Sequence, residues 1–152
     1  MRGKAANIAL LALCEVLAMS LWFAASAVAP QLQRLYHLDG LHQAALASGV
    51  ALGFVLGTLG SALLGLADRI DPRRLFCAAA VLGAVANAGM LVVDPAGGAS
   101  VALRLVVGIS AAGLYPVGMK LAATWAGADM GLLVGILVAA LVLGSASSFL
   151  VA

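Results

Sequence analysis

Two ionisable side chains stand where ionisable groups are rare: Glu15 inside the apolar run 6–29, and Arg104 inside the apolar run 100–121. A charge at the centre of a hydrocarbon layer costs about 2.5 to 3.5 kcal/mol on the insertion scale, which makes each a functional candidate by default. Glu15 lies eleven residues beyond Lys4, roughly 16 Å along a helix and close to a bilayer's midplane. Arg104 precedes Lys120 by sixteen residues, about 24 Å, and so sits nearer the opposite face. The axial gap of about 8 Å is within reach of a long arginine or of one bridging water, so the chemistry on offer is coupling between a carboxyl and a guanidinium. The plainer alternatives are that Glu15 meets a buried polar partner such as Asn87 and that Arg104 snorkels outward. Tyr115 follows Arg104 by eleven residues, three helical turns along the same face, where it either touches a ligand or packs a helix interface. Trp22 and Ser26 share the face of Glu15 by the same spacing, and Trp22 reads as a member of an interfacial aromatic belt, as does Trp125.

The remaining chemistry-bearing residues define what the chain is not. Cys14 and Cys77 each fall inside an apolar run, too far apart in sequence for a metal-ligand spacing. His37 and His42 read as solvated loop residues. There is no nucleophile-base pair, phosphate-binding glycine loop or metal cluster in the pattern, so neither an enzyme nor a cofactor is expected. The net charge of +2 is small and scattered, with no basic stripe interleaved by aromatics, which excludes nucleic acid as a partner. With 64% hydrophobic and 9% charged residues, the composition lies far from the soluble norm of about 25% charged.

The elements that must position these residues follow from the apolar runs. Five spans are expected, at about 6–29, 44–67, 75–93, 100–121 and 131–152, since a core of about 30 Å needs roughly 20 residues at 1.5 Å each. Only helices or closed barrels satisfy every backbone group in lipid, and runs this continuous lack the alternation of barrel strands. The expected fold is therefore an all-α membrane bundle forming one domain over 1–152. The connection 30–43 carries Arg34, His37, Asp39 and His42, and 94–98 is a compact Asp-Pro-Ala-Gly-Gly turn. Glu15 within the first run and Pro30 after it argue against a cleaved signal peptide. Orientation follows from basic residues: a cytoplasmic N-terminus puts Arg2, Lys4, Arg69, Arg73, Arg74 and Lys120 inside, against Arg34 alone in an outside loop. An odd number of spans then places Ala152 on the far side with no polar tail, which suggests a fragment of a longer chain.

The densest knot of charge, 65–74, reads Gly-Leu-Ala-Asp-Arg-Ile-Asp-Pro-Arg-Arg. Asp68 and Arg69 followed by Arg73 and Arg74 resemble the loop between helices 2 and 3 of the major facilitator superfamily, G-x-L-A-D-R-x-G-R-R. Leu66, Ala67, Asp68, Arg69 and Arg73 match as aligned, while Leu64 stands at the leading glycine, Gly65 comes one place later, and Asp71-Pro72 replaces the later Gly-Arg. Pro72 is suited to the first turn of the third helix instead. Arg104, Gly108 and Ala112 have the R-x-x-x-G-x-x-x-A spacing of the family's fourth-helix motif. The Gly-Pro motif of drug/proton antiporters is missing from the fifth span. The resemblance covers essentially the whole chain as helices 1 to 5 of a six-helix N-terminal half. It implies that helices 1 and 4 line a central cavity, with Glu15 a protonation or substrate-cation site and Arg104 an anion or coupling site. It also implies a gating role for the 68–74 loop and a home in a membrane such as the bacterial inner membrane.

Small residues recur every four positions along the second span, at Ala45, Gly49, Gly53, Gly57, Ser61 and Gly65, a stripe that lets another helix approach closely. Because the family packs this helix against the opposite half, the stripe is expected to meet a C-terminal half, a second copy or a larger complex. Ala140, Gly144 and Ser148 form a shorter stripe that serves either internal packing or an interface. The expected function is secondary-active, alternating-access transport of a small solute, with proton coupling through Glu15. The alternative is a non-transporting membrane subunit that scaffolds a larger complex.

Overall fold

The computed structural model describes residues 2–151, all helix and connecting turns. Helix α1, Arg2–Tyr36, is 35 residues long and runs through Pro30. The expected first span stopped at 29; the helix continues because 31–36 are helix-compatible residues and lipid-embedded helices tolerate an interior proline. Only 37–39 remain as the connection, turned by His37 at φ 48°. Asp39 then caps α2, Gly40–Leu64, by accepting from the backbone N–H of His42 at 2.7 Å.

Gly65 ends α2 in the left-handed region at φ 60°, a backbone conformation that glycine adopts without strain. A single turn, α3, Leu66–Arg69, follows. Asp71 caps α4, Pro72–Gly89, accepting from the N–H groups of Arg73 at 2.8 Å and Arg74 at 3.4 Å, with Pro72 in the first turn as the sequence suggested. The fourth span is two helices, α5, Gly98–Ala112, and α6, Tyr115–Ala123. Pro116 has no N–H to offer the Ala112 carbonyl, and the chain tightens there: Gly113 donates to Ser110 at 2.9 Å and Leu114 to Ala111 at 3.1 Å. The last helix is α7, Met130–Val151, and Ala152, the expected end of the fifth span, lies outside the described residues.

Among the described residues, four stretches are long and apolar enough to cross a membrane: Gly3–Tyr36, Gly40–Leu64, Gly98–Ala123 and Met130–Leu150. Helix α4 is the expected third span, but it spends its first turn on Pro72, Arg73 and Arg74 and ends at Gly89 rather than 93. Its 18 residues rise about 27 Å, just short of a hydrocarbon core.

The bundle is held by close backbone approach. Helix α2 lies on α5, α1 on α7, and α4 on α5. At Gly144 of α7 an added Cβ would meet the Val16 carbonyl oxygen at 2.6 Å, and Ser148 donates to the Ser20 carbonyl at 3.3 Å, so the short stripe on the last span packs internally. Buried apolar clusters form around Ile8, Leu11 and Leu137, around Ala18, Ala79 and Leu114, and around Val50, Ala86 and Val107. Large apolar side chains such as Leu52, Leu56, Leu63 and Leu143 are meanwhile exposed, as a lipid-facing surface requires.

Candidate functional site

At one end of the bundle, tertiary packing brings together the N-terminus, the 65–72 turn and the 124–129 link. Lys4 Nζ bridges both carboxylate oxygens of Asp129 at 2.8 and 2.7 Å. Lys120 Nζ donates to Asp68 at 2.6 Å and to the Ala67 carbonyl at 2.6 Å. The hydrogen bond from Lys120 and its charge hold the Asp68 carboxyl below the usual carboxylate range. The bond from Lys4, helped by the N–H of Gly127, does the same for Asp129. Asp68 therefore finds its cation on the fourth span, not among Arg69, Arg73 or Arg74, the local candidates. Those three arginines are exposed at the same end. Sequence counting placed Lys4 and Lys120 on this side, but the pairings join residues 125 and 52 positions apart, which no local spacing announces.

The opposite end joins the start of α2 to the 94–100 segment. His42 is part-buried, its Nε2 2.8 Å from the Pro95 carbonyl and 3.4 Å from Ser100 Oγ, so it is a structural tie and not the solvated residue expected. His37 is exposed.

Between these ends lie the two candidates in the spans. Glu15 is 0% exposed, and neither carboxyl oxygen has a hydrogen-bond partner among the described residues. Its carboxyl presses on the α carbon of Gly118 in α6, so closely that any side chain at 118 would collide with Oε1; Phe76 of α4 borders the same spot. Gly118 is thus what makes room for Glu15, a role invisible in the sequence. Asn87, the plainer partner considered for Glu15, donates instead to the Leu21 carbonyl at 3.0 Å.

Arg104 is 1% exposed and does not snorkel. Its Nη2 donates to the Trp22 carbonyl of α1 at 2.8 Å and its Nε to the Leu46 carbonyl of α2 at 3.4 Å. Trp22 packs edge-on against Phe54 of α2 at 5.4 Å between ring centres. Trp22 lies seven residues beyond Glu15, about 10 Å along α1, and no ion pair joins Arg104 to Glu15. Tyr115 is half-buried at the start of α6, beyond the break after Ala112, so the face it was assigned by counting from Arg104 along one unbroken helix does not carry over.

The glycine stripe requires a correction. Gly49, Gly53 and Gly57 do not wait for a partner: α5 fills the groove they form. A Cβ at Gly49 would meet the Val101 carbonyl oxygen at 3.3 Å, and one at Gly57 the Ile109 carbonyl oxygen at 2.9 Å. At Gly53 the Leu105 carbonyl stands in the way, and at Gly108, on the facing helix, the Val50 carbonyl does. The small residues of both helices permit one backbone-on-backbone crossing. Ser61 lies at the margin of that crossing, beside a cavity shared with α4, and Gly65 is the cap described above and takes no part in packing.

No curated protein and no solved structure matches the chain. A family model does, that of the Major Facilitator Superfamily, over residues 11–152. Long apolar helices with an exposed apolar exterior, two ionisable groups buried inside them and the charged turn at 65–74 agree with that match, and the chain belongs to the major facilitator superfamily, an integral membrane protein of transporter type.

Proposed function

We propose that this chain builds an N-terminal transporter half in which Glu15 takes up and releases a proton during alternating access. The observation that carries the reading is the Glu15 carboxyl itself, fully buried at mid-span with both oxygens unpartnered. An uncompensated carboxylate in a low-dielectric interior is expensive, and the groups that relieve it are its own proton or a cation entering from the cavity. Gly118, across the α1–α6 contact, keeps the space open. The N-terminus, the 65–72 turn and the 124–129 link are read as cytoplasmic because they gather the lysines and arginines, while Arg34 stands at the other end. That orientation fits a bacterial inner membrane. A C-terminal half, a second copy or a larger complex completes the cavity; it docks elsewhere than on the stripe that α5 occupies.

The test is Glu15→Gln. In lipid bilayers, infrared titration of the wild-type chain should show a carboxylic-acid carbonyl band that responds to pH and disappears in the variant. Uptake by the assembled transporter should at the same time lose its dependence on the pH gradient, with membrane insertion unchanged. Retention of both the band and the pH profile removes Glu15 from the mechanism.

A further inference from the structure

We propose that the cavity between α1, the start of α2 and α5 binds a small monocarboxylate with an aliphatic body; this rests on the transporter reading and names its substrate class. The cavity holds about 340 Å³, and Ala25, Ser26, Ala29, Leu38, Ala47, Gln43 and Arg104 are among the residues that line it. That volume is at the lower end of small-molecule sites, roughly 300 to 1,000 Å³.

Two of its lining residues carry buried polar nitrogens with no hydrogen-bond partner among the described residues. Arg104 spends Nε and Nη2 on backbone carbonyls, which fixes the plane of the guanidinium and leaves Nη1 buried without an acceptor. The Gln43 amide nitrogen is likewise buried and unpartnered on the same cavity. Buried donors without acceptors are rare in folded proteins because each forfeits its hydration. No aspartate or glutamate lines the cavity, so Arg104 also has no counter-charge there.

A ligand that satisfies both donors must present acceptor oxygens, and one that neutralises Arg104 must carry a single negative charge. A carboxylate does both, since it accepts from a guanidinium and an amide at once. Apart from Ser26 and Gly40 the rest of the wall is alanine and leucine, which favours an aliphatic body over a polar one. A cation is repelled, and an uncharged amide leaves the guanidinium uncompensated.

The experiment uses the chain in lipid nanodiscs and follows its thermal unfolding midpoint against hexanoate, with hexanamide as the uncharged match and oleate as a membrane-borne carboxylate. Hexanoate should raise the midpoint saturably and hexanamide should not. Gln43→Leu should weaken the hexanoate effect roughly tenfold, the loss of one hydrogen bond to a charged group. Gln43→Glu supplies a carboxylate to the same cavity wall as Arg104 and should raise the midpoint without ligand while abolishing the response to hexanoate. Equal shifts from hexanamide, a response to oleate alone, or hexanoate shifts untouched by both Gln43 variants would each overturn the proposal. Gln43 takes no part in the Glu15 titration. A failed hexanoate response beside a lost pH profile in Glu15→Gln therefore retires the cavity alone, and the converse result retires the proton role alone.

Discussion

Adding one methyl group at a time along α2 measures the α2–α5 crossing, because its glycines differ in the room they have. At Gly60 nothing lies within 4 Å of an added Cβ. At Gly49 the nearest atom is 3.3 Å away, and at Gly57 the Ala112 Cβ is 2.8 Å away. At Gly53 the Leu105 carbonyl blocks the position, with the Gly108 Cα at 3.1 Å behind it. Ordinary contact begins near 3.4 Å, so alanine asks for a shift of 3.4 − 3.3 = 0.1 Å at Gly49 and 3.4 − 2.8 = 0.6 Å at Gly57. Gly53 asks for more than either, against backbone that belongs to a second helix. Alanine gains about 0.5 to 1 kcal/mol over glycine inside a helix, so Gly60→Ala should be stabilising by about that much and Gly49→Ala close to neutral. Overpacking costs about 1 to 3 kcal/mol, which leaves Gly57→Ala net destabilising and puts Gly53→Ala at or beyond the top of that range. Unfolding of the chain in mixed micelles of increasing SDS fraction, followed by circular dichroism and tryptophan fluorescence, should rank the variants Gly60, Gly49, Gly57, Gly53 from most to least stable. Gly53→Ala as stable as Gly60→Ala would show that the helices do not cross where the structure has them. Leucine at both 53 and 57 should likewise prevent a compact bundle, not merely release a partner from an intact one.

Two further outcomes concern the charged end. Because Lys120 lowers the Asp68 carboxyl, the pair is present above the unfolded value of about 3.9 and is lost as pH falls through the depressed folded value. Lys120→Ala should move the Asp68 titration, read by NMR of the labelled carboxyl, back up toward the ordinary value; an unmoved midpoint would dismiss the pairing. Single cysteines at Arg34 and Gly97 should react with impermeant reagents from outside the cell while those at Asp71 and Gly127 stay protected. The reverse labelling pattern would overturn the orientation.

Much of this was legible in the primary structure because lipid imposes simple rules. Long apolar runs had to become helices, and Glu15 and Arg104 stood out by their place inside those runs, although the runs alone left open whether Arg104 turns inward or snorkels. What escaped was whatever depends on which helix lies against which. The stripe from Gly49 to Gly57 announced a close approach, yet a stripe of small residues carries no label for its partner, and α5 answers it with Gly108 as a small residue of its own. Asp68 pairs with Lys120, 52 positions away, although three arginines lie within six residues of it. Gln43 and Gly118 have unremarkable sequence surroundings, and only their facing residues give them meaning. Pro30 and Pro116 show the same limit locally: one is passed by a continuing helix and the other marks a break, although both follow apolar sequence.

That break divides the supports of the two buried ionisable groups along the fourth span, although α1 runs unbroken past both. Arg104 belongs to α5, which is locked to α2 by the glycine crossing, and its guanidinium is pinned further by carbonyls of α1 and α2. Gly118, which accommodates Glu15, belongs to α6, whose far end is tied by Lys120 to the turn after α2. Had the fourth span been one continuous helix, a displacement at either group would be passed along its hydrogen-bonded backbone to the other. With Pro116 unable to donate and Gly113 and Leu114 bonded three residues back, the ladder is interrupted between them. Along the fourth span the two groups therefore rest on separate segments, and what still joins them is α1, which carries Glu15 and, seven residues on, the Trp22 carbonyl that Arg104 bonds.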